Sequence, residues 1–424
     1  LEIGFGLVDG GESDARAQLT FVTRHGSAES RLSARVDGVA AGDIAAQSPV
    51  LGWLGLIEAP ISGALTASWD AQGALAGIEG ALAVAAGMLS PAEGAETFPF
   101  DHAQLDFTYD PRHERIGLDA LRVESPALRL AARGHAYLDE IRDGVPGAFL
   151  GQVALDELML DPAGLFDRPL RLTRGALDLR LRLEPFDLTI GQLVLIDGAT
   201  TLQARGRVGA APAGWTLALD VALDAIRHDR LLAFWPRALV PRTRDWLVEN
   251  IHGGTLQRVR GGVRLRPGEE PQLSLGWEFD DGEVRFMPTL PPILAGRGRS
   301  SIDTRSYRLA LDAGHVTPPE GGTIDVAGSV FHVPEIRDRP ATAEIALQAR
   351  GSVTAALSLL DLPPFGFMSR ANLPVDLAEG AARIEARLGV PLVQGLRNED
   401  VRFAVTGEIT GASSTRLVPG RRLA

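Results

Sequence analysis

Cysteine is absent from the 424 residues. That excludes disulfides, thiolate nucleophiles and cysteine-ligated zinc. Lysine is absent too, so all 42 basic residues are arginine; Schiff-base chemistry and a phosphate-loop lysine are excluded with it. Positive charge is also short overall. The net charge of −12 argues against a nucleic-acid partner, because phosphate binding needs a concentrated basic surface. Aromatics make up only 6%, so Leu, Val and Ala must fill the interior. No long hydrophobic run is present: the stretch from Gly73 to Leu89 is mostly Ala and Gly and contains Glu79, whereas a membrane helix needs about 20 strongly apolar residues. It reads as small-residue strand and turn. The chain opens at Leu1 within a strand-like stretch. It therefore reads as a piece cut from a longer protein, with any targeting segment upstream.

Familiar catalytic arrangements are missing as well. The histidines are His25, His102, His113, His135, His228, His252, His315 and His332. None lies three to five residues from another, as helical zinc motifs require. Gly4-Phe5-Gly6 with Gly10 has one residue too many for a dinucleotide fingerprint and no helical pattern after it, so it reads as turns. No nucleophile elbow occurs. Carboxylates are plentiful but fall on the outward positions of strands. A glycosidase pair brought together from distant strands is the one enzymatic arrangement left open.

What the chain does contain is alternation. Leu177, Leu179, Leu181 and Leu183 alternate with Asp178, Arg180, Arg182 and Glu184. Trp215, Leu217, Leu219, Val221 and Leu223 alternate with Thr216, Asp220 and Asp224, and Leu273, Leu275, Trp277 and Phe279 with Ser274, Glu278 and Asp280. A later strand, Ala343 to Ala349, contributes Ile345 and Leu347. A period of two puts the apolar side chains on one side of a pleated sheet. These fifteen residues are the candidate lining of an apolar groove. Further strands are expected at Ala103–Tyr109, Ile116–Val123, Leu128–Ala132, Tyr307–Leu311, Thr323–Val326, Ala382–Leu388 and Val401–Val405. Half-apolar strands punctuated by 48 Gly and 27 Pro indicate an antiparallel sheet, since buried parallel strands are apolar on both faces. Asp281-Gly282, between Phe279 and Val284, reads as a hairpin turn.

Three segments break the alternation. Asp43 to Ile57 is apolar and interrupted by proline. Asp224 to Gly254 is the best helix candidate: Leu239, Thr243, Trp246, Leu247 and Ile251 follow helical spacing, His252 suits the last turn, and Gly253 reads as the stop. Trp235 and Trp246 are expected to anchor this helix to the sheet. The third, Val353 to Asn372, starts helical at Ala355–Leu360 and is broken by Pro363-Pro364. The layout predicts a mainly β fold, a long curled antiparallel sheet with a few short helices. Three segments are expected: 1–140 with a plug near 43–57, 141–254 ending in a helical plug over 229–253, and 255–424 with a short helix near 353–372.

Leu239-Val240-Pro241, then Arg244-Asp245-Trp246-Leu247 and Gly253-Gly254-Thr255-Leu256, resembles a motif of AsmA-like proteins of the YhdP type, large envelope proteins of Gram-negative bacteria. Leu359-Leu360-Asp361 to Pro363-Pro364 with Gly380 and Val390-Pro391-Leu392 looks similar, as does Ser125-Pro126-Ala127-Leu128 with Gly134. The likeness covers about residues 100 to 424, and the family's N-terminal membrane helix is not in the chain. The resemblance implies a long curled sheet whose concave apolar side conducts phospholipids between inner and outer membranes, in the periplasm. It implies attachment to the inner membrane through a segment outside this chain, contact with outer-membrane components, and no cofactor.

The physics of such a conduit is simple. Exposing a methylene costs about 0.8 kcal/mol, so a sixteen-carbon chain costs roughly 12 kcal/mol to expose. A wall of Leu, Val and Phe shelters the tails, and a lack of fixed polar contacts lets the lipid slide. The competing reading is a closed β-sandwich or rod in which two sheets cover each other. The width of uncovered apolar surface separates them.

Overall fold

The computed structural model describes residues 2–8, 14–23, 25–47, 49–90, 97–142, 146–161, 169–198, 200–234, 241–393 and 400–416. The chain is mainly β, 65% strand and 10% helix, as the alternation predicts. It begins with β1 (Glu2–Val8), β2 (Asp14–Thr23) and β3 (Ser30–Ala40), then α1 (Ala41–Gln47), a 3-10 helix (Pro49–Leu56) and β4 (Ile57–Glu58). Next come β5 (Pro60–Trp69), β6 (Leu75–Val84), β7 (Gly87–Leu89), β8 (Phe98–Phe100), β9 (His102–Asp110), β10 (Arg115–Glu124) and β11 (Leu128–Asp139). They are followed by β12 (Ala148–Leu160), β13 (Leu170–Leu172), β14 (Arg174–Arg182), β15 (Asp187–Asp197), β16 (Thr200–Ala211) and β17 (Gly214–Arg227). Helices α2 (His228–Phe234) and α3 (Pro241–Asn250) precede β18 (Ile251–Leu265), β19 (Gln272–Val284), β20 (Ile293–Asp303), β21 (Tyr307–Val316), β22 (Ile324–Asp325) and β23 (Val330–Val333). The last elements are β24 (Thr342–Ser352), α4 (Val353–Leu360), α5 (Phe367–Arg370), β25 (Glu379–Pro391) and β26 (Arg402–Ser413).

The chain divides into two compact units, residues 1–221 with 263–271, and 222–262 with 272–424. It passes between them within β17, within β18 and again between β18 and β19. In the first unit the strands form an antiparallel meander, β1–β2–β3–β5–β6–β9–β10–β11–β12–β14–β15–β16. Residues directly opposite share a face, and the register keeps that face apolar from strand to strand. Leu82 opposes Leu105, Leu105 opposes Leu121, Leu121 opposes Ala132, and Ala132 opposes Leu155. A separate three-stranded sheet of β4, β7 and β8 joins α1 and the 3-10 helix over this face. Where they meet, Leu54 of the 3-10 helix and Ile61 and Leu82 of the sheet are 0–2% exposed, the most completely buried large side chains. Gly38, with φ of 66°, sits at the register shift between Val36 and Val39 inside β3, with two residues between it and α1.

The second unit repeats the principle along β19–β20–β21–β23–β24–β25–β26. Here α4 covers part of the apolar face, with Ala355 fully buried against Leu311, Val316, Ile324 and Val326. Ser352 caps α4 by accepting the Ala355 N–H at 2.9 Å, and its hydroxyl donates to the Gly321 carbonyl at 2.7 Å.

Several expectations are corrected. Asp281-Gly282 is no hairpin: β19 runs through it to Val284, and the register shifts between Phe279, Gly282 and Val284 mark bulges, with Asp281 at φ 52°. The single helix over 229–253 is instead α2 and α3, with 235–240, and so Trp235, outside the described residues. Ile251, His252, Gly253 and Gly254 begin β18 rather than end a helix. Trp246 is 45% exposed; on α3 the half-buried positions are Arg244, Leu247 and Asn250, and Trp246 projects off that line. Gly4-Phe5-Gly6 lies inside β1, not in turns, and Gly10 falls outside the described residues. The plug near 43–57 and the short helices in 353–372 are present as α1, the 3-10 helix, α4 and α5. Among the described residues no helix is long and apolar enough to cross a membrane.

Candidate apolar binding face

The candidate site is a face, so the question for each side chain is which side of the sheet it occupies and what lies above it. On β14, Leu177, Leu179 and Leu181 oppose Val153, Gly151 and Phe149 on β12, and Leu193, Ile190 and Leu188 on β15. The bulge between Asp178 and Leu179 leaves all of them on one side. Leu183 follows the end of β14, yet with Leu181 it still packs against the cluster beneath the plug. On β15 and β16 the face continues through Leu188 opposite Val208 and Leu193 opposite Ala204. The Thr216 hydroxyl donates to the Gly209 carbonyl, and a Cβ on Gly206 would lie 3.0 Å from the Leu219 Cα. Those two contacts align Trp215, Leu217 and Leu219 with Ala210, Val208 and Gly206. The Leu177 row and the Trp215 row therefore share a face.

Curvature follows from one aromatic contact. Phe98 lies four residues before β9, and β9 and β17 stand seven strand spacings apart, roughly 34 Å along a flat sheet. The Phe98 and Trp215 rings are nevertheless 5.5 Å apart, edge to face, and the Phe186 ring is 6.0 Å from Trp215. Four extended residues and two side chains cannot bridge a flat sheet of that width. The sheet of the first unit is curled, with its apolar face on the concave side.

In the second unit Leu275, Trp277 and Phe279 oppose Ile302, Ser300 and Gly298, while Leu273 begins the row. Across the unit, Phe331 opposes both Leu309 and Ile345, and Ile345 and Leu347 oppose Leu388 and Ala386. The Phe279 ring lies directly over Gly298, as the Phe107 ring lies over Gly80 in the first unit; a Cβ on either glycine would fall within 3 Å of the ring. The one buried hydroxyl of the row, on Ser300, donates to the Arg308 carbonyl at 3.0 Å. Burial pushes the Tyr307 phenol above its ordinary value, beside Phe331 at 5.9 Å. Tyr109 in the first unit is raised by burial first, and then by Glu114 and Asp110.

None of the fifteen candidate residues is buried, and none is exposed: all are half-buried. This contrasts with Leu54, Ile61 and Ala355, at 0% exposure where a helical segment meets the sheet. Neighbours within one sheet layer shield a side chain's flanks but not its tip. Leu223 and Val221 share the Trp215 row's side of β17.

The opposite face is polar and ion-paired. Arg180 bonds Asp139 at 3.0 Å and Glu140 at 2.8 Å, Arg182 bonds Glu140 at 2.9 Å, and Arg133 lies 3.4 Å from Asp156. A shallow depression of about 520 Å³ on this side touches Arg133, His135, Gln152 and Asp178. Among the described residues no cluster of His, Asp or Glu is placed to hold a metal ion. Sequence reasoning missed the Phe98–Trp215–Phe186 cluster, because Phe98-Pro99-Phe100 is too short to show alternation. No family model, curated protein or solved structure matches this chain.

Proposed function

We propose that the chain is a binder rather than an enzyme: it takes up phospholipid acyl chains on the apolar faces of its sheets and passes the lipid between the inner and outer membranes of a Gram-negative envelope, from the periplasm. In this reading the candidate residues of each unit line the apolar face of that unit, and inner-membrane attachment and outer-membrane contacts belong to parts of the protein outside this chain. The observation that carries the reading is the half-burial of every member of the three rows and of Ile345 and Leu347, beside plugged positions at 0–2% exposure. Covering such a face with acyl chains removes apolar area from water at about 25 cal/mol per Å². The curled sheet supplies a concave wall without fixed polar contacts, which suits a sliding ligand. The resemblance of the Leu239–Leu256 segment to AsmA-like proteins points the same way.

Native mass spectrometry of the purified chain after incubation with phospholipid vesicles tests it. Adducts of one or more intact phospholipids are expected, and they should disappear when the face is charged. A spectrum free of adducts at every lipid concentration would return the chain to the closed sandwich or structural rod.

A further inference from the structure

The strand β26 pairs with β25 from Glu379↔Ser413 to Gly389↔Arg402, and no strand among the described residues occupies its other edge. Every residue from Arg402 to Ala412 is exposed. Phe403, Val405 and Ile409 reach 72%, 56% and 56% although they continue the apolar face of β25. An edge of this length and greasiness is a template for a further strand. We propose that the strand it receives is β26 of a second copy of this chain, antiparallel about a two-fold axis at Val405.

The strand's own sequence selects that partner and that register. An antiparallel neighbour must set apolar residues opposite apolar ones, so only registers that keep odd positions opposite odd positions are allowed. With the axis at Val405, Val405 meets the partner's Val405, and Ile409 meets the partner's Val401. Phe403 lies over the partner's Gly407, the ring-over-glycine pairing that Phe107 makes with Gly80 and Phe279 with Gly298 across strands of this same protein. On the polar face Arg402 meets the partner's Glu408, twice by symmetry. Neither Arg402 nor Glu408 is in an ion pair among the described residues, and Arg383 on β25 stands opposite Glu408. The dimer therefore extends a row of alternating charge, Arg383, Glu408 and the partner's Arg402. Moving the axis to Ala404 or Thr406 sets Arg402 opposite the partner's Thr406 or Thr410 and loses both charge pairs. An isologous contact of this kind closes at two copies.

Sedimentation velocity on the purified chain over the micromolar range is expected to show a reversible monomer–dimer equilibrium. R402E and E408R each set like charges opposite one another at two places, and each should weaken the dimer by about tenfold or more. The double variant R402E/E408R restores both pairs with the signs exchanged and should return the affinity to within about threefold. V405K brings two ammonium groups together at the axis and should abolish the dimer while the monomer keeps its circular dichroism spectrum, since the side chain is exposed. A chain that stays monomeric throughout would overturn the proposal and leave the edge to a strand of another protein. A dimer indifferent to all three charge variants, or assembly beyond two copies, would overturn the register. None of these outcomes depends on lipid binding.

Discussion

Ile61 and Leu219 are aliphatic side chains on the same kind of sheet face, but they differ in what lies above them. Ile61 is fully buried beneath the plug, while Leu219 keeps part of its surface open. An arginine at 219 can lay its stem along the face and carry its guanidinium to water. Leu219→Arg, and likewise Leu275→Arg, should therefore shift the melting temperature by only a few degrees while removing the lipid adducts expected in native mass spectrometry. Ile61→Arg traps a charge under the plug, costs several kcal/mol, and should unfold the first unit. If Leu219→Arg unfolds the chain as readily, the face is dry and the sandwich reading gains. On the polar side, Arg180 holds Asp139 below its ordinary 3.8, and Arg182, then Arg180, hold Glu140 below 4.5. Carboxylates lowered in the folded state contribute stability above their ordinary values and lose it as the pH falls through the lowered ones. Melting temperature should drop as the pH falls below the ordinary carboxylate values of 3.8 and 4.5, and the drop should be shallower in Arg180→Ala.

At the scale of elements, α4 shows how a short apolar helix is held on a sheet. Its first turn is closed by Ser352, whose hydroxyl also ties the Gly321 loop. Gly321 has φ of 88°, and a Cβ there would stand 2.2 Å from the Ala355 nitrogen. Ser352→Ala should cost about 1–2 kcal/mol. Gly321→Ala should cost more, because it meets a left-handed backbone and a clash at once. Urea midpoints followed by circular dichroism rank the two, and equal midpoints would refute this account of the docking. The Ala355–Leu360 pattern makes the helical start of 353–372 legible, whereas the Ser352 cap leaves no mark in the apolar periodicity. Asp281-Gly282 was misread for a physical reason: a hairpin turn and a bulge both need a residue at positive φ, and only the partner strand β20 decides between them. The helix over 229–253 was misread in the same way, since Ile251 and Gly253 fit the end of a helix as well as the start of β18, and tertiary pairing chose the strand.

For the whole chain, alternation told which residues share a face, because a period of two survives any curvature of the sheet. It could not tell what covers that face. Coverage depends on bulges such as that at Asp178/Leu179, which bend the strands, and on where α1, the 3-10 helix and β8 come to rest. Local pattern carries neither. The charge of −12 and the missing Cys and Lys narrowed the chemistry, while the division into two units at 221/222, 262/263 and 271/272 had no compositional mark. The open faces lead to a final expectation about stability. A ligand that binds only the folded chain stabilises it by about 2.7 kcal/mol at one hundred times its dissociation constant, and for units near 200 residues each kcal/mol raises the melting temperature by about 2–4 °C. Micellar or vesicular phospholipid should therefore raise the melting temperature by several degrees. The deacylated, water-soluble headgroup should not move it, since the free energy resides in the methylenes. Scanning calorimetry with both ligands separates the cases: a rise with the headgroup alone would transfer the site to the arginine-rich polar face, and no rise with either would mean that the sheets already cover one another.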